Sequence, residues 1–304
     1  MGVGDRIVLV APAKVNLYLE VGPRRIDGYH DVVTVMQALE LHDTVTVEPG
    51  SRLSVVCEPD LGVPPCDNLV AAAARILGRL LDREPNVAIG IRKRIPAGGG
   101  LGGGSADAAT AIVGLATLWG LPLSDPRVRE AAEAVGADAP FFLDGGCALM
   151  GGRGAAPLRR LPVPRLHIAL VNPGVEISTA AAYAAFDRLP TPRTVGPEAM
   201  MAAVESGDPA AVAAALHDDL TEAAVGLALE VGEALASLGD APGLLGAGMT
   251  GSGSSAFGVF ATGEAASGAV DVARARGWWA AVTGTRDGGA SPAVGAERDT
   301  EEGS

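Results

Sequence analysis

The chain has 304 residues, 48% of them hydrophobic and 19% charged, with a net charge of −13. That balance describes a soluble globular protein of one large or two ordinary domains. It argues against a nucleic-acid surface, which needs a basic stripe. No apolar run reaches the length of a membrane span, and the opening "MGVGDRIVLVAP" lacks the basic start and long apolar core of a signal peptide. Cys57, Cys66 and Cys147 form neither a disulfide framework nor a zinc pattern, which fits a reducing cytoplasm.

The first third reads as strands. "KVNLYLEV" alternates Val15, Leu17, Leu19 and Val21 inward with Asn16, Tyr18 and Glu20 outward. "DVVTVMQALEL", "DTVTVEP" and "RLSVVCEP" continue with β-branched residues, broken by a turn at "EPGSR". "DNLVAAAARILGRLLD" then switches to helical spacing, with Leu69, Ala73, Ile76, Leu77 and Leu80 on one stripe. A strand at "NVAIGIRKRIP" leads into a glycine run, and "SADAATAIVGLATLWG" follows as a buried helix closed by Gly120. Asp125 and Pro126 open another helix that ends near Gly136. Two prolines in "LRRLPVPRLHIALV" mark a domain boundary, giving domains over 1–162 and 163–286. The second half is Ala-rich and helical at "AVAAALHDDL", "EVGEALASL" and "EAASGAVDVARARG", with strands at "LHIALV", "SAFGVFA" and "WWAAVTGT". The tail over 287–304 is small, polar and acidic, and is expected to be disordered.

The glycine run, "PAGGGLGGGSADAA" from Pro96, holds six glycines in seven positions. A P-loop needs a Lys after its last glycine, and none follows. Gly98, Gly100 and Gly103 satisfy a dinucleotide-binding pattern, but so dense a run satisfies almost any glycine pattern. The preceding strand also carries Arg92, Lys93 and Arg94, unlike a strand buried on both faces. What remains is physical. A glycine loop entering a helix gathers unpaired amides at the positive end of the helix dipole, a site for phosphate. Ser105 is expected to cap that helix, its hydroxyl also available to a phosphate or a phosphate-bound metal ion.

"PAGGGLGGGSADAA" closely resembles the second motif of the GHMP kinases, the group of galactokinase, homoserine kinase, mevalonate kinase and phosphomevalonate kinase. "APAKVNLYLEV" is similar to the first motif and "GMTGSGSSAFGVF" to the third. "RRIDGYHDVVTVMQAL", "DNLVAAAARIL", "GADAPFFL" and "NPGVEISTAAAY" resemble the branch that acts on a cytidine-diphosphate-linked sugar alcohol. The resemblance implies an ATP-dependent kinase with a two-domain GHMP kinase fold of mixed α+β and α/β content. Its N-terminal domain would be ribosomal-protein-S5-like and its C-terminal domain ferredoxin-like, with the active site between them.

Site residues follow from the same matches. Pro96, Ala97, Gly98, Gly99, Gly100, Leu101, Gly102, Gly103, Gly104, Ser105 and Ala106 would hold the ATP phosphates, with Asn68 and Lys93 nearer the rest of the nucleotide. Only two of the 23 basic residues are lysines, Lys14 and Lys93, and a compact ammonium suits particular tasks. Taken alone, Lys14 is a strand-edge lysine and Asp138 a helix N-cap before Pro140. By resemblance they are instead the catalytic pair, with Asp138 as the base. Asn16, on the Lys14 face of a regular strand, would orient substrate. "DGYH" alone is a hairpin tip; by resemblance Tyr29 stacks on the cytosine and His30 takes its edge. Tyr183 would be the second stacking aromatic, with Thr179 beside it, and Thr250, Gly251 and Ser252 would supply donors to substrate phosphate. Mg²⁺ is expected, because the phosphate charges of ATP need offsetting in an acidic protein. A cytoplasmic enzyme, monomeric or homodimeric, without nucleic-acid or membrane partners, is the expectation.

Overall fold

In the computed structural model, which describes residues 6–62, 64, 68–152, 154, 156–190 and 195–293, two sheets carry the chain. β1 (Ile7–Arg24) and β2 (His30–Pro49) form one long hairpin. The two strands expected between residues 31 and 49 are a single continuous one. β3 (Ser54–Glu58), α1 (Leu69–Leu80), β4 (Val87–Arg92), α2 (Gly103–Leu118), α3 (Pro126–Val135), α4 (Ala139–Asp144), β5 (Cys147–Gly151) and β6 (Ala156–Leu161) follow. The start of β2 pairs with β5 and its far end with β4, so the hairpin bends from one set of partners to the other. Register shifts at Pro12/Lys14 and at Asn16/Tyr18 permit the bend. They bracket the two residues that matter most; such irregularities commonly re-aim side chains beside active sites.

The strand alternation expected for β1 holds on one face only. Asn16 and Tyr18, expected outward, are 3% and 2% exposed. Amphipathic patterning assumes water on the polar face, but here that face meets the second domain. One core packs α1, α2 and α3 against the sheet; another joins Val15, Leu17 and Leu39 to Ile168, Leu170 and Phe257. In α1 the buried stripe is Val70, Ala73, Ala74 and Leu77, which rotates Leu69 out toward a cleft. α3 starts as expected, with Asp125 accepting from the amide of Arg127 and Pro126 in the first turn.

The second domain contains β7 (His167–Asn172), α5 (Thr179–Phe186), α6 (Glu198–Ser206), α7 (Pro209–Ala214), β8 (His217–Asp218), α8 (Thr221–Leu227) and α9 (Leu229–Gly239). It continues with β9 (Leu244–Met249), β10 (Ala256–Phe260), α10 (Gly263–Ala275) and β11 (Trp279–Gly284). Its sheet order β11-β7-β10-β9 is antiparallel throughout and gives a βαββαβ arrangement, the ferredoxin-like pattern. The expected helix "AVAAALHDDL" stops at Ala214, and its last residues form β8, parallel to β1. The expected boundary at 162/163 falls between β6 and β7. The tail is corrected in part. β12 (Ser291–Pro292) pairs with Leu9 and Val10, and the Ala290 amide donates to the Phe142 carbonyl at 2.8 Å. From residue 294 the expected disorder lies outside the described residues.

Lys93, expected near the nucleotide, is instead a buried structural ion. Its ammonium contacts the Asp43 carboxylate and lies 2.7 Å from Asp107 Oδ2, with all three side chains at most 7% exposed. Asp43 also accepts from the amides of Arg94 and Ile95, at 2.5 and 2.9 Å. The cluster thus ties the entry of the glycine loop to the first turns of α2. Burial, opposed by Lys93 and reinforced by Asp43, pushes the Asp107 carboxyl up to about 7. Replacing Lys93 by Met would leave two carboxylates uncompensated in this pocket. The expected cost is about 3–5 kcal/mol in a urea titration; an unchanged midpoint would contradict the ion cluster. The folded Asp107 binds its proton more tightly than an unfolded Asp, whose ordinary value is 3.8. Its favourable contribution is complete below that value and is lost as pH rises through about 7. Asp107→Asn should therefore flatten the decline of stability between pH 4 and 7, measured by denaturation at stepped pH; an equally steep decline would remove Asp107 as its source.

Candidate active site

The glycine loop lies where two backbones nearly touch. A Cβ on Gly100, which has φ of 76°, would sit 2.1 Å from the Thr250 carbonyl oxygen. One on Gly102, with φ of 72°, would sit 2.7 Å from the Phe142 ring and 3.1 Å from Lys14 Cγ. Only glycine combines that space with that left-handed backbone. Leu101, the one side chain in the run, is buried as an anchor, and its carbonyl accepts the Lys14 amide at 3.0 Å.

α2 begins two residues earlier than expected. Gly102 occupies the cap position, so Ser105 is not the cap but lies in the first turn and lines the cleft. The first-turn amides of Gly103, Gly104 and Ser105 have no earlier carbonyl within the helix, the arrangement that receives anions. Ala106 is different. Its amide is used inside the helix, donating to the Gly102 carbonyl at 2.9 Å, and its side chain is buried.

Lys14 and Asp138 meet below the loop. Lys14 Nζ lies 3.7 Å from Asp138 Oδ2, with the lysine side chain 4% and the aspartate 30% exposed. The ammonium also donates to Asn16 Oδ1 at 2.5 Å, while Asn16 Nδ2 donates to Thr34 Oγ1 at 2.8 Å. Asp138 does stand at the cap position of α4, with Pro140 in the first turn, yet its carboxylate makes no capping bond. That leaves the carboxylate facing the cleft and Lys14 rather than the helix.

Pro96 through Ser105 share this cleft of about 650 Å³ with Lys14, Asn16, Asp138, Thr179, Tyr183, Gly251 and Ser252. Thr179 and Ser252 hydroxyls are 3.2 Å apart. Thr250 is fully buried behind them, its hydroxyl receiving the Asn16 amide at 3.0 Å, so it supports the site without facing it. Asn68 caps α1 through the amides of Val70 and Ala71 and opens onto a different depression. Neither Asn68 nor Lys93 lines the cleft. Sequence reasoning missed Glu176, whose carboxylate packs beside Gly98 in the cleft wall. Nothing in its local pattern marked it, because the contact joins distant segments.

A second lobe of about 990 Å³ adjoins the first, sharing Val32, Ala137, Thr179 and Tyr183. Tyr29, His30 and Asp187 also line it. The His30 and Tyr183 rings lie 5.3 Å apart, and burial raises the Tyr183 phenol to about 12. The His30 imidazole, expected to take the edge of the cytosine, lines this lobe. Nδ1 sits 2.8 Å from the Gly22 carbonyl and Nε2 sits 3.2 Å from Asp187, so both ring nitrogens already have partners.

The arrangement offers amides for a polyphosphate, an acid–ammonium pair at its end, and an aromatic lobe beyond. The GHMP kinases N terminal domain matches residues 68–146 and the GHMP kinases C terminal domain residues 200–285. The 4-diphosphocytidyl-2-C-methyl-D-erythritol kinase of Rhodococcus jostii is 45% identical over 73% of this chain and 73% of its own. The enzyme of that name from Citrifermentans bemidjiense is 40% identical over 92% of this chain and 99% of its own. A crystal structure of 4-(cytidine 5′-diphospho)-2C-methyl-D-erythritol kinase superposes with a TM-score of 0.75 at 32% identity, covering 91% and 99% of the two chains. Homoserine kinase from Cytophaga hutchinsonii shares the fold, with a TM-score of 0.72 at 20% identity over 96% and 98%. The chain belongs to the GHMP kinases.

Proposed function

We infer that this chain transfers the terminal phosphoryl group of ATP to the 2-hydroxyl of 4-diphosphocytidyl-2-C-methyl-D-erythritol, in the non-mevalonate route to isoprenoid precursors. The observation that carries the reading is the Lys14–Asp138 pair, 3.7 Å apart, in the cleft it shares with the glycine loop. Phosphoryl transfer asks for alignment, charge neutralisation and a destination for one proton. The acceptor oxygen forms a bond to the γ-phosphorus as the bond to the β,γ-bridging oxygen breaks, and ADP leaves. Asp138 takes the hydroxyl proton. Lys14, held by Asn16, orients that carboxylate and faces the charge developing on the transferring group.

The loop amides and the Ser105 hydroxyl receive the phosphate chain, while Tyr29 and Tyr183 flank the cytosine. Among the described residues no three His, Cys, Asp or Glu side chains converge as a metal cage. The donors present fit an Mg²⁺ carried by the phosphates, which the Ser105 hydroxyl and the Glu176 carboxylate, both in the cleft lining, would help to hold. Such an ion supplies neutralising charge to the phosphates. Cysteine usage favours a cytoplasmic setting. Among the described residues no helix is long and apolar enough to cross a membrane.

Asp138→Asn is expected to lower kcat by about 10²–10⁴-fold while ATP affinity by calorimetry stays nearly constant; ordinary turnover would remove the base assignment. Tyr183→Ala is expected to weaken the cytidine-linked substrate by about 1–3 kcal/mol, read as a higher KM with the KM for ATP unmoved. An unaltered substrate KM would take the base-stacking role away from Tyr183.

A further inference from the structure

Arg24 and His30 stand opposite each other as the last pair of the β1–β2 ladder, on either side of the tip that carries Tyr29. One carboxylate reaches both. Asp187 Oδ1 lies 3.2 Å from His30 Nε2, and Asp187 Oδ2 lies 3.7 Å from Arg24 Nε. Asp187 comes from a distant part of the chain. It follows Phe186 at the C-terminal end of α5, one helical turn beyond Tyr183, whose carbonyl accepts the Asp187 amide at 3.0 Å. Arg24, Tyr29, His30, Tyr183 and Asp187 all line the second lobe.

Each partner of this carboxylate is also held inside the hairpin. His30 Nδ1 sits 2.8 Å from the Gly22 carbonyl, and Arg24 Nε donates to the Gly28 carbonyl at 3.3 Å. Beneath them, Val21 and Val32 of the hairpin share an apolar cluster with Ala182 and Phe186 of α5. Apolar contact of that kind is non-directional. It brings the helix to the hairpin without fixing the angle at which the tip leaves it. The two contacts of Asp187 are directional, and they act at the base of the tip. With Arg24 63% and Asp187 29% exposed, the ion pair adds little to global stability. The His30 side chain is only 4% exposed, so its contact is the sheltered one.

We propose that Asp187 is a positioning residue for the cytidine end of the substrate. By gripping Arg24 and His30 together it ties the tip to α5, and so sets the gap between Tyr29 and Tyr183, the rings that flank the base. Without it the tip swings and the gap widens, while Lys14, Asp138 and the glycine loop keep their places. The proposal rests on the kinase reading above.

The wild type is first assayed with Mg-ATP and the cytidine-linked alcohol; no turnover there would strike the kinase reading itself. Calorimetry with cytidine diphosphate reads the clamp independently of turnover. Asp187→Ala is expected to raise the KM for the alcohol about 10-fold, within the range that one stacked base contributes. The affinity for cytidine diphosphate should fall by the same factor. The KM for ATP and the urea midpoint should stay near wild type, with kcat within threefold. Asp187→Asn, whose amide can meet His30 Nε2 with either end, should recover most of the loss. Arg24→Ala should weaken cytidine diphosphate in the wild type and add nothing once Asp187 is Ala, because the two changes remove one shared contact. Should the Ala variant fail to fold, Asp187→Ser, too short to reach both partners, takes its place with the same expected losses. Wild-type affinity for cytidine diphosphate in the folded Ala or Ser variant would overturn the proposal. So would a raised KM for ATP together with a lowered urea midpoint, which would make Asp187 a general support of the fold.

Discussion

The glycine loop and the Thr250–Ser252 turn approach so closely that their backbones leave no room for a single carbon between Gly100 and the Thr250 carbonyl. That contact joins a loop of the first domain to a turn of the second. It sets the floor of the cleft, because Lys14 and Asn16 are wedged against the same two segments. Placing β-carbons there would separate the domains or swing the loop, and the amides at the mouth of α2 would no longer point at the ammonium–carboxylate pair. Steric absence, more than any one bond, shapes the narrow cleft beside the loop.

Around that contact, two kinds of charge arrangement do different work. The Asp43–Lys93–Asp107 cluster is buried, and it ties the loop's two ends to the sheet and to α2. The Lys14–Asp138 pair is looser, at 3.7 Å, and its carboxylate is partly open to the cleft. A tight, desolvated pair is useful for holding shape; one with a reachable oxygen can accept a proton. The chain's only two lysines thus stand in different settings, one enclosed by two aspartates and one at the cleft.

Much of the fold was legible locally. The 3.6-residue spacing of α1, the Asp-Pro start of α3 and the β-branched runs of β3, β7, β10 and β11 report on each element's own surroundings. The glycine run announced an anion site because unpaired amides at a helix start are a consequence of local geometry. Less legible were features created by a second layer of packing. Asn16 and Tyr18 read as outward residues until the second domain covered them. Lys93 read as a nucleotide contact until two aspartates, distant in sequence, enclosed it. The "HDD" triplet read as the end of a helix until it paired with β1.

By itself, then, the sequence determined the motifs, most of the secondary elements and the kinase family, since each depends on residue order over a few neighbours. The tertiary structure alone decided which of those residues meet. It turned the Asp138 carboxylate to Lys14 instead of to its own helix cap, and turned Glu176 and Asp187 toward the cleft. The reason is physical: burial and charge pairing depend on what the opposite segment brings, and that segment here lies far away in sequence.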